Sequence, residues 1–198
     1  TLEVLQKPCP LPLEVLKKFS GIYITDSTQI ALPKQMVSIF RGNKANSMLK
    51  LHVTWDYLNG NLAALDLAEG RSPDQKCQLH VSHAHAGTLQ LFDLGYFKQE
   101  YLRDIDQQAA YFVCRYQSQS ALYHPQTEAD FDLVVWLKGL KKTPTAECCV
   151  LVGGRVKWPL RMVLRRLSQS AAEARRRKAR QKARKQGQTC RADYLFLL

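Results

Sequence analysis

The chain has 198 residues, 45% hydrophobic content and a formal net charge of +12, enough for one globular domain with a sizeable core and an appended subdomain. No run of roughly 18 or more uncharged apolar residues occurs, which argues against a membrane span, and prolines and charges in the first twenty residues argue against a secretory leader. Thr1 at the start and the apolar run Tyr194-Leu195-Phe196-Leu197-Leu198 at the end read as a piece of a longer polypeptide.

In chain order, residues 1–20 read as an approach segment: Pro8-Cys9-Pro10-Leu11-Pro12, then a short helix over Leu13 to Phe19. Gly21 to Leu32 is β-branched, aromatic and nearly continuous, a strand interrupted at its middle by Asp26. Ser47 to Trp55 is a second strand, Tyr57-Leu58-Asn59-Gly60-Asn61 a turn, and Leu62 to Ala68 a third strand, so the three form an antiparallel meander. A short helix is expected around Pro73 to Leu79. Thr88 to Phe92 is a fourth strand, broken at Asp93-Leu94-Gly95-Tyr96. Phe97 to Gln107 is a helix with Phe97, Tyr101, Leu102 and Ile105 on one face, and Ala109 to Tyr116 a fifth strand. This order predicts an α/β fold: a ribonuclease H-like mixed sheet with helices over 21–117.

Residues 118–198 read as a separate basic α+β subdomain. It comprises a helix over Asp130 to Leu140, two strands (Glu147 to Val152 and Trp158 to Leu164) joined through Gly153-Gly154, and a basic helix from Ser168 to Gln186. Ser170-Ala171-Ala172-Glu173 has capping-box spacing, and Gly187 is a natural stop. Fourteen of the 29 Lys and Arg residues fall in 151–198 against two of the 17 acids, so the first 150 residues hold fifteen of each sign. The surplus points to a polyanionic partner contacted mainly in the last quarter.

Six cysteines (Cys9, Cys77, Cys114, Cys148, Cys149, Cys190) include no C-x-x-C pair, which favours reduced thiols in a cytosolic protein. His80, His83 and His85 lack a helical period and read as a polar loop in preference to a zinc site.

Asp26 and Asp93 are the candidate chemical residues. A buried, unpartnered carboxylate in an apolar strand would cost several kcal/mol, so each needs a cation, a hydrogen-bond network or solvent. If the first and fourth strands are neighbours, the two carboxylates meet above the sheet, a pair of hard oxygen ligands suited to Mg²⁺ and to metal-assisted phosphodiester chemistry. The alternative for each is an ordinary turn acid. Gly95 permits a tight turn. Arg115, on the apolar fifth strand, either reaches a phosphate or snorkels at an edge, and Asp74 either orients the site or is a helix N-terminal acid after Pro73.

The segments Tyr23-Ile24-Thr25-Asp26-Ser27-Thr28, Leu67-Ala68-Glu69-Gly70-Arg71-Ser72-Pro73-Asp74-Gln75 and Leu91-Phe92-Asp93-Leu94-Gly95-Tyr96-Phe97, with the meander between them and a basic helix after the fifth strand, resemble the IS4-type DDE transposases over roughly residues 20–198. The resemblance implies that Asp26 and Asp93 are the first and second catalytic, metal-binding aspartates. It implies Mg²⁺ as cofactor (Mn²⁺ the substitute), DNA as partner at transposon ends and target, and cytoplasmic, nucleoid-associated bacterial localisation. A homodimer is one option for the full-length protein. The family's third ligand, a glutamate on a helix with Tyr, Arg and Lys at helical spacing, has no match in this sequence, since Glu128, Glu147 and Glu173 lie in or before the insertion.

Arg175, Arg176, Arg177, Lys178, Arg180, Lys182, Arg184 and Lys185 have too few opposing charges for a solvated helix and too small an apolar face for a membrane helix. Backbone phosphate contact is the expected role. A base-specific helix-turn-helix is not evident. The rival functions are a non-catalytic DNA-binding relic or inhibitor of transposition, and a ribonuclease H-like nuclease without joining activity.

Overall fold

The structure is a computed structural model that describes residues 14–117, 120–140 and 143–185. The chain divides into two compact units, with the boundary between Gln117 and Ser118.

In the first unit β1 (Gly21–Ala31), β2 (Met48–Asp56) and β3 (Asn61–Glu69) form the expected antiparallel meander. The β2–β3 turn is closed by Asp56, whose carboxylate accepts from the Asn59 backbone and side-chain amides at 3.1 and 2.7 Å, and Gly60 takes the left-handed conformation (φ 67°) that the tight reversal requires. The chain then passes through α1 (Leu79–Ser82) to β4 (Thr88–Phe92), which pairs in parallel with the free side of β1. From there α2 (Gln99–Gln107) leads to β5 (Tyr111–Val113), parallel to β4. The order is β3-β2-β1-β4-β5, with β2 running against the other four. This is the ribonuclease H-like arrangement.

Directly paired residues of neighbouring strands share a face. Thr25, Ser27 and Gln29 of β1 therefore lie with Thr54, His52 and Lys50 of β2. Thr25, Lys50, His52 and Thr54 are buried, and Thr25 and Thr54 join their hydroxyls at 2.9 Å. The core on this side is completed by Tyr96, Phe97, Tyr101, Leu102 and Ile105, all buried. Three of them, Tyr101, Leu102 and Ile105, are the inward stripe of α2, and each full burial of a residue such as Leu102 contributes about 1.5–3 kcal/mol.

The opposite face is apolar and open. Ile24 and Ile30 of β1, Leu49, Leu51, Val53 and Trp55 of β2, Leu65 and Leu67 of β3, and Val113 of β5 share it by register. Leu65, Leu67 and Val113 are 51%, 55% and 60% exposed. Asp26 and Thr28 share this face with the apolar side chains, several of which are exposed.

The second unit holds a three-stranded antiparallel sheet in the order β6-β7-β8, from β6 (Leu122–Tyr123), β7 (Thr145–Val152) and β8 (Trp158–Arg165). Gly153 (φ 133°) starts the β7–β8 connection. Between β6 and β7, α3 (Leu133–Gly139) is capped by Asp132, whose Oδ1 accepts from the N–H groups of Val134 and Val135 at 2.9 and 3.0 Å. α4 (Gln169–Lys185) closes the described chain.

Several local expectations are corrected. The fifth strand covers Tyr111–Val113 only, because Ala109 takes a left-handed turn (φ 55°) and pairing with β4 stops at Val113. Arg115 therefore lies beyond the strand end, exposed. The helix expected over 73–79 is a 3-10 turn at Asp74–Lys76 followed by α1. The N-terminus of α4 is capped by Ser168, whose Oγ accepts from Ala171 N–H at 3.3 Å, and Glu173 bonds the Gln169 side chain instead of closing a box with Ser170. Leu122–Tyr123, at two residues, is too short for periodicity to mark it as a strand. The Pro8–Pro12 stretch, Cys9, Cys190, the stop at Gly187 and the apolar run at 194–198 lie outside the described residues.

Ile105→Ala, at a fully buried position of α2, is expected to destabilise the chain by about 2–5 kcal/mol in equilibrium urea unfolding. Leu65→Ala on the open face is expected to shift it by no more than about 0.5 kcal/mol.

Candidate functional site

The β1–β4 ladder ends at Thr25 beside Phe92. Continuing that register by one residue sets Asp26, within β1, against Asp93, just past the carboxyl end of β4, the end at which open α/β sheets bind ligands. Both side chains are exposed. They are held differently. β1 runs on to Ala31 against β2, so Asp26 sits within a strand, on the face of Ile24 and Ile30. Asp93 instead caps the 3-10 turn Leu94–Tyr96, its Oδ1 accepting from Gly95 N–H at 2.7 Å. Asp26 Oδ1 accepts from Ser27 N–H at 2.8 Å. Each carboxylate is thus oriented by a downstream backbone amide.

Gly95 lies in the tight turn expected after Asp93, without a left-handed φ, and what it supplies there is room. A Cβ there would lie 2.7 Å from Asp74 Oδ2 and 2.9 Å from Asp93 Oδ1.

Sequence reasoning missed the polar layer beneath these acids. Lys50 is buried, and its ammonium donates to Asp74 Oδ1 at 2.7 Å and to the Ser72 carbonyl. Ser27 Oγ donates to the same Asp74 oxygen at 3.2 Å. His52 Nδ1 pairs with the Tyr96 hydroxyl at 2.8 Å. Burial lowers the His52 pKa and pushes the Tyr96 phenol well above its usual range. Alternation of Lys50, His52 and Thr54 along β2 is visible in the sequence, but its inward direction is not.

His80 corrects the polar-loop reading of the histidine cluster. It lies on α1, fully buried among the rings of Phe92, Tyr96 and Tyr101, with both ring nitrogens lacking a hydrogen-bond partner. Desolvation lowers its pKa to about 4. His83 and His85 flank Tyr23 instead.

Asp26 and Asp93 offer hard, exposed oxygens, the donor chemistry of Mg²⁺ or Mn²⁺. They number two, and among the described residues no group of three His, Cys, Asp or Glu side chains is placed to hold a metal ion. The described cysteines, Cys77, Cys114, Cys148 and Cys149, are free thiols, and burial pushes the Cys114 thiol up to about 12.

In the second unit, α4 carries Arg175, Arg176, Arg177, Lys178, Arg180, Lys182, Arg184 and Lys185 against the single acid Glu173. Arg175, Arg177, Lys178, Arg180 and Arg184 are exposed, and Ala172 is buried. No helix among the described residues is long and apolar enough to cross a membrane.

Residues 17–191 match the family model described as a transposase DDE domain. The transposase for insertion sequence element IS231B of Bacillus thuringiensis subsp. berliner is 25% identical over 194 residues, covering 88% of this chain and 41% of that protein. The transposase for insertion sequence element IS1151 of Clostridium perfringens is 28% identical over 109 residues, 53% of this chain and 23% of the relative. The chain thus spans less than half the length of these relatives. Among solved structures, a piggyBac transposase synaptic complex with hairpin DNA aligns with a TM-score of 0.40 at 12% identity, over 73% of this chain and 33% of that one.

His80 yields a pH prediction. Its folded pKa lies below the unfolded 6.5, so the unfolded state binds the extra proton first. The stability that comes from keeping His80 neutral is complete above pH 6.5 and is lost as pH falls toward 4, by up to about 3 kcal/mol. Urea midpoints between pH 7 and 4 are expected to fall less steeply for His80→Leu than for the unaltered chain, with a residual slope to which His52 contributes.

Proposed function

The chain belongs to the transposase DDE domain family, and on that premise we propose that it is part of an insertion-sequence transposase that cuts and joins DNA strands. Asp26 and Asp93 would be two of its metal-holding catalytic carboxylates. The observation that supports this most directly is the β1–β4 register, whose continuation by one residue sets Asp93, just past the end of β4, beside Asp26 within β1, 67 positions apart in sequence.

A divalent cation, Mg²⁺ or Mn²⁺, would be held by Asp26 and Asp93 and would supply Lewis acidity and charge neutralisation for phosphodiester attack. The protein's own part is orientation. Ser27 and Gly95 amides fix one oxygen of each carboxylate, and the β1–β4 pairing sets their spacing. The exposed bases of α4 would hold the DNA backbone through phosphate neutralisation, with Arg115 an additional candidate contact. The third acid would come from polypeptide outside this sequence. Its natural seat is the open apolar face, which carries Asp26 and needs a cover over Leu51, Leu65 and Leu67. The absence of a three-ligand group among the described residues keeps one rival in view, a non-catalytic DNA binder that inhibits transposition.

The test is plasmid nicking and strand joining by the full-length protein in Mg²⁺. Asp26→Ala and Asp93→Ala are each expected to lower the rate about a thousandfold, the several kcal/mol that a metal ligand supports. Unchanged nicking in Asp93→Ala removes it from the mechanism, nicking without joining leaves a nuclease, and DNA binding with no cleavage leaves the inhibitor. Replacing Arg175, Arg177 and Lys178 by Gln is expected to weaken DNA binding and to flatten its logarithmic salt dependence by about 0.9 per lost phosphate contact. In the full-length protein Leu65→Ala is expected to cost about 2–5 kcal/mol, because the face is then covered.

A further inference from the structure

We infer that Asp74 is a positioning residue that sets the spacing between Asp26 and Asp93, an inference resting on the proposed metal-holding role of those two acids. Two hydrogen bonds and one close approach converge on its carboxylate. Oδ1 is held by the buried Lys50 ammonium at 2.7 Å and accepts from Ser27 Oγ at 3.2 Å. Ser27 is the residue whose own N–H orients Asp26 at 2.8 Å. Oδ2 faces Gly95, whose N–H orients Asp93 at 2.7 Å. A Cβ on Gly95 would stand 2.7 Å from Asp74 Oδ2 and 2.9 Å from Asp93 Oδ1, which bounds the separation of those two oxygens at about 5.6 Å. One carboxylate is therefore hydrogen-bonded to the residue that follows Asp26 and lies close beside the glycine whose N–H orients Asp93.

The segment around it is a bracket. Gln75 Nε2 donates to the Phe97 carbonyl at 3.0 Å, and the Tyr101 hydroxyl donates to the Gln75 carbonyl at 3.0 Å. Residue 75 is thus fastened to the C-terminal end of the turn that presents Asp93 and to α2 beyond it. Lys50 anchors the bracket from below, on the buried face of β2. Its charge also offsets that of Asp74, so Asp93 does not face a second uncompensated anion a few ångströms away. Supporting groups of this kind tune metal affinity through the ligands they hold, and removing one lowers that affinity about 10–100-fold.

Mn²⁺ binding to the full-length protein, read from the loss of the free-ion EPR signal, tests the inference without an activity assay. Circular dichroism and thermal melting check the fold of each variant. Asp74→Ala is expected to weaken Mn²⁺ binding about 10–100-fold. Asp74→Asn keeps the shape and the acceptor for Lys50 and Ser27, and is expected to stay within about threefold of the unaltered protein. Gly95→Ala acts from the other side, by wedging the two carboxylates apart, and is expected to lose at least about tenfold with the melting temperature nearly unchanged. Should Asp74→Ala fail to fold, Gly95→Ala and Asp74→Asn still decide. Unaltered affinity in folded Asp74→Ala or in Gly95→Ala overturns the inference, as does an Asn variant as weak as the Ala one, which would make charge the cause. Binding by the unaltered protein that Asp93→Ala abolishes leaves the parent reading intact in those cases. No such binding, or binding indifferent to Asp93→Ala, overturns the parent reading and this inference together.

Discussion

Parallel pairing of β1 with β4, in the register that sets Thr25 beside Phe92, is the constraint from which the rest of the first unit follows. Parallel neighbours need a long crossover, and here the meander and α1 supply it. The crossover leaves β1 hydrogen-bonded on both sides, so Asp26 is fixed by two ladders nearby, while Asp93 emerges at the end of a single short strand. A one-residue slip of β4 would move its entire side-chain set to the opposite face and carry Asp93 away from Asp26. The buried Gln90 and Phe92, set beside Tyr23 and Thr25, oppose that slip.

The two faces of the sheet invert the usual expectation of apolar inside and polar outside. On β2, Lys50, His52 and Thr54 are buried while Leu49, Leu51, Val53 and Trp55 are partly exposed. A buried polar layer is tolerable only when its groups are paired, and most of this one is: Lys50 with Asp74 and Ser72, Thr54 with Thr25, His52 with Tyr96. Replacing such a pair wholly by apolar groups is often neutral, whereas breaking it strands a buried charge. The layer therefore adds specificity of geometry more than net stability. It lies on the other face of the sheet from Asp26, with Thr25 and Ser27 the immediate chain neighbours of that acid.

Strands, their order and the two acids are legible in the sequence because each leaves a local mark. Period-two alternation marks β2, and an apolar run broken by Asp-Leu-Gly-Tyr marks the end of β4. What is not legible depends on partners distant in sequence. Alternation along β2 names two faces without saying which turns inward. His80 reads as part of a polar loop because nothing local reveals the cage of Phe92, Tyr96 and Tyr101. Gly95 reads as a turn glycine, but the atoms that exclude a side chain there include Asp74, 21 positions upstream. Asp74 is the N-terminal acid of a 3-10 turn after Pro73, as one local reading has it, and its ion pair with Lys50, 24 positions upstream, is not visible locally.

Charge is segregated along the chain for a reason that follows from the proposed chemistry. A phosphodiester brought to Asp26 and Asp93 meets like charge, and each exposed carboxylate at about 4 Å opposes it by roughly 1 kcal/mol in water and more where solvent is thinned. The first 150 residues hold equal numbers of acids and bases, so that stretch has no net attraction to offer. Lys50, buried on the other face of the sheet, is already committed to Asp74. Attraction must then come from elsewhere, and α4 carries eight bases against one acid along a single helix. Under the proposed function, placing the attraction on a separate unit would let it strengthen DNA binding through counterion release without neutralising the carboxylates that would hold a divalent ion. An arginine beside Asp93 would compete with that ion for the same oxygens, which is a physical reason for the two functions to occupy different parts of the chain.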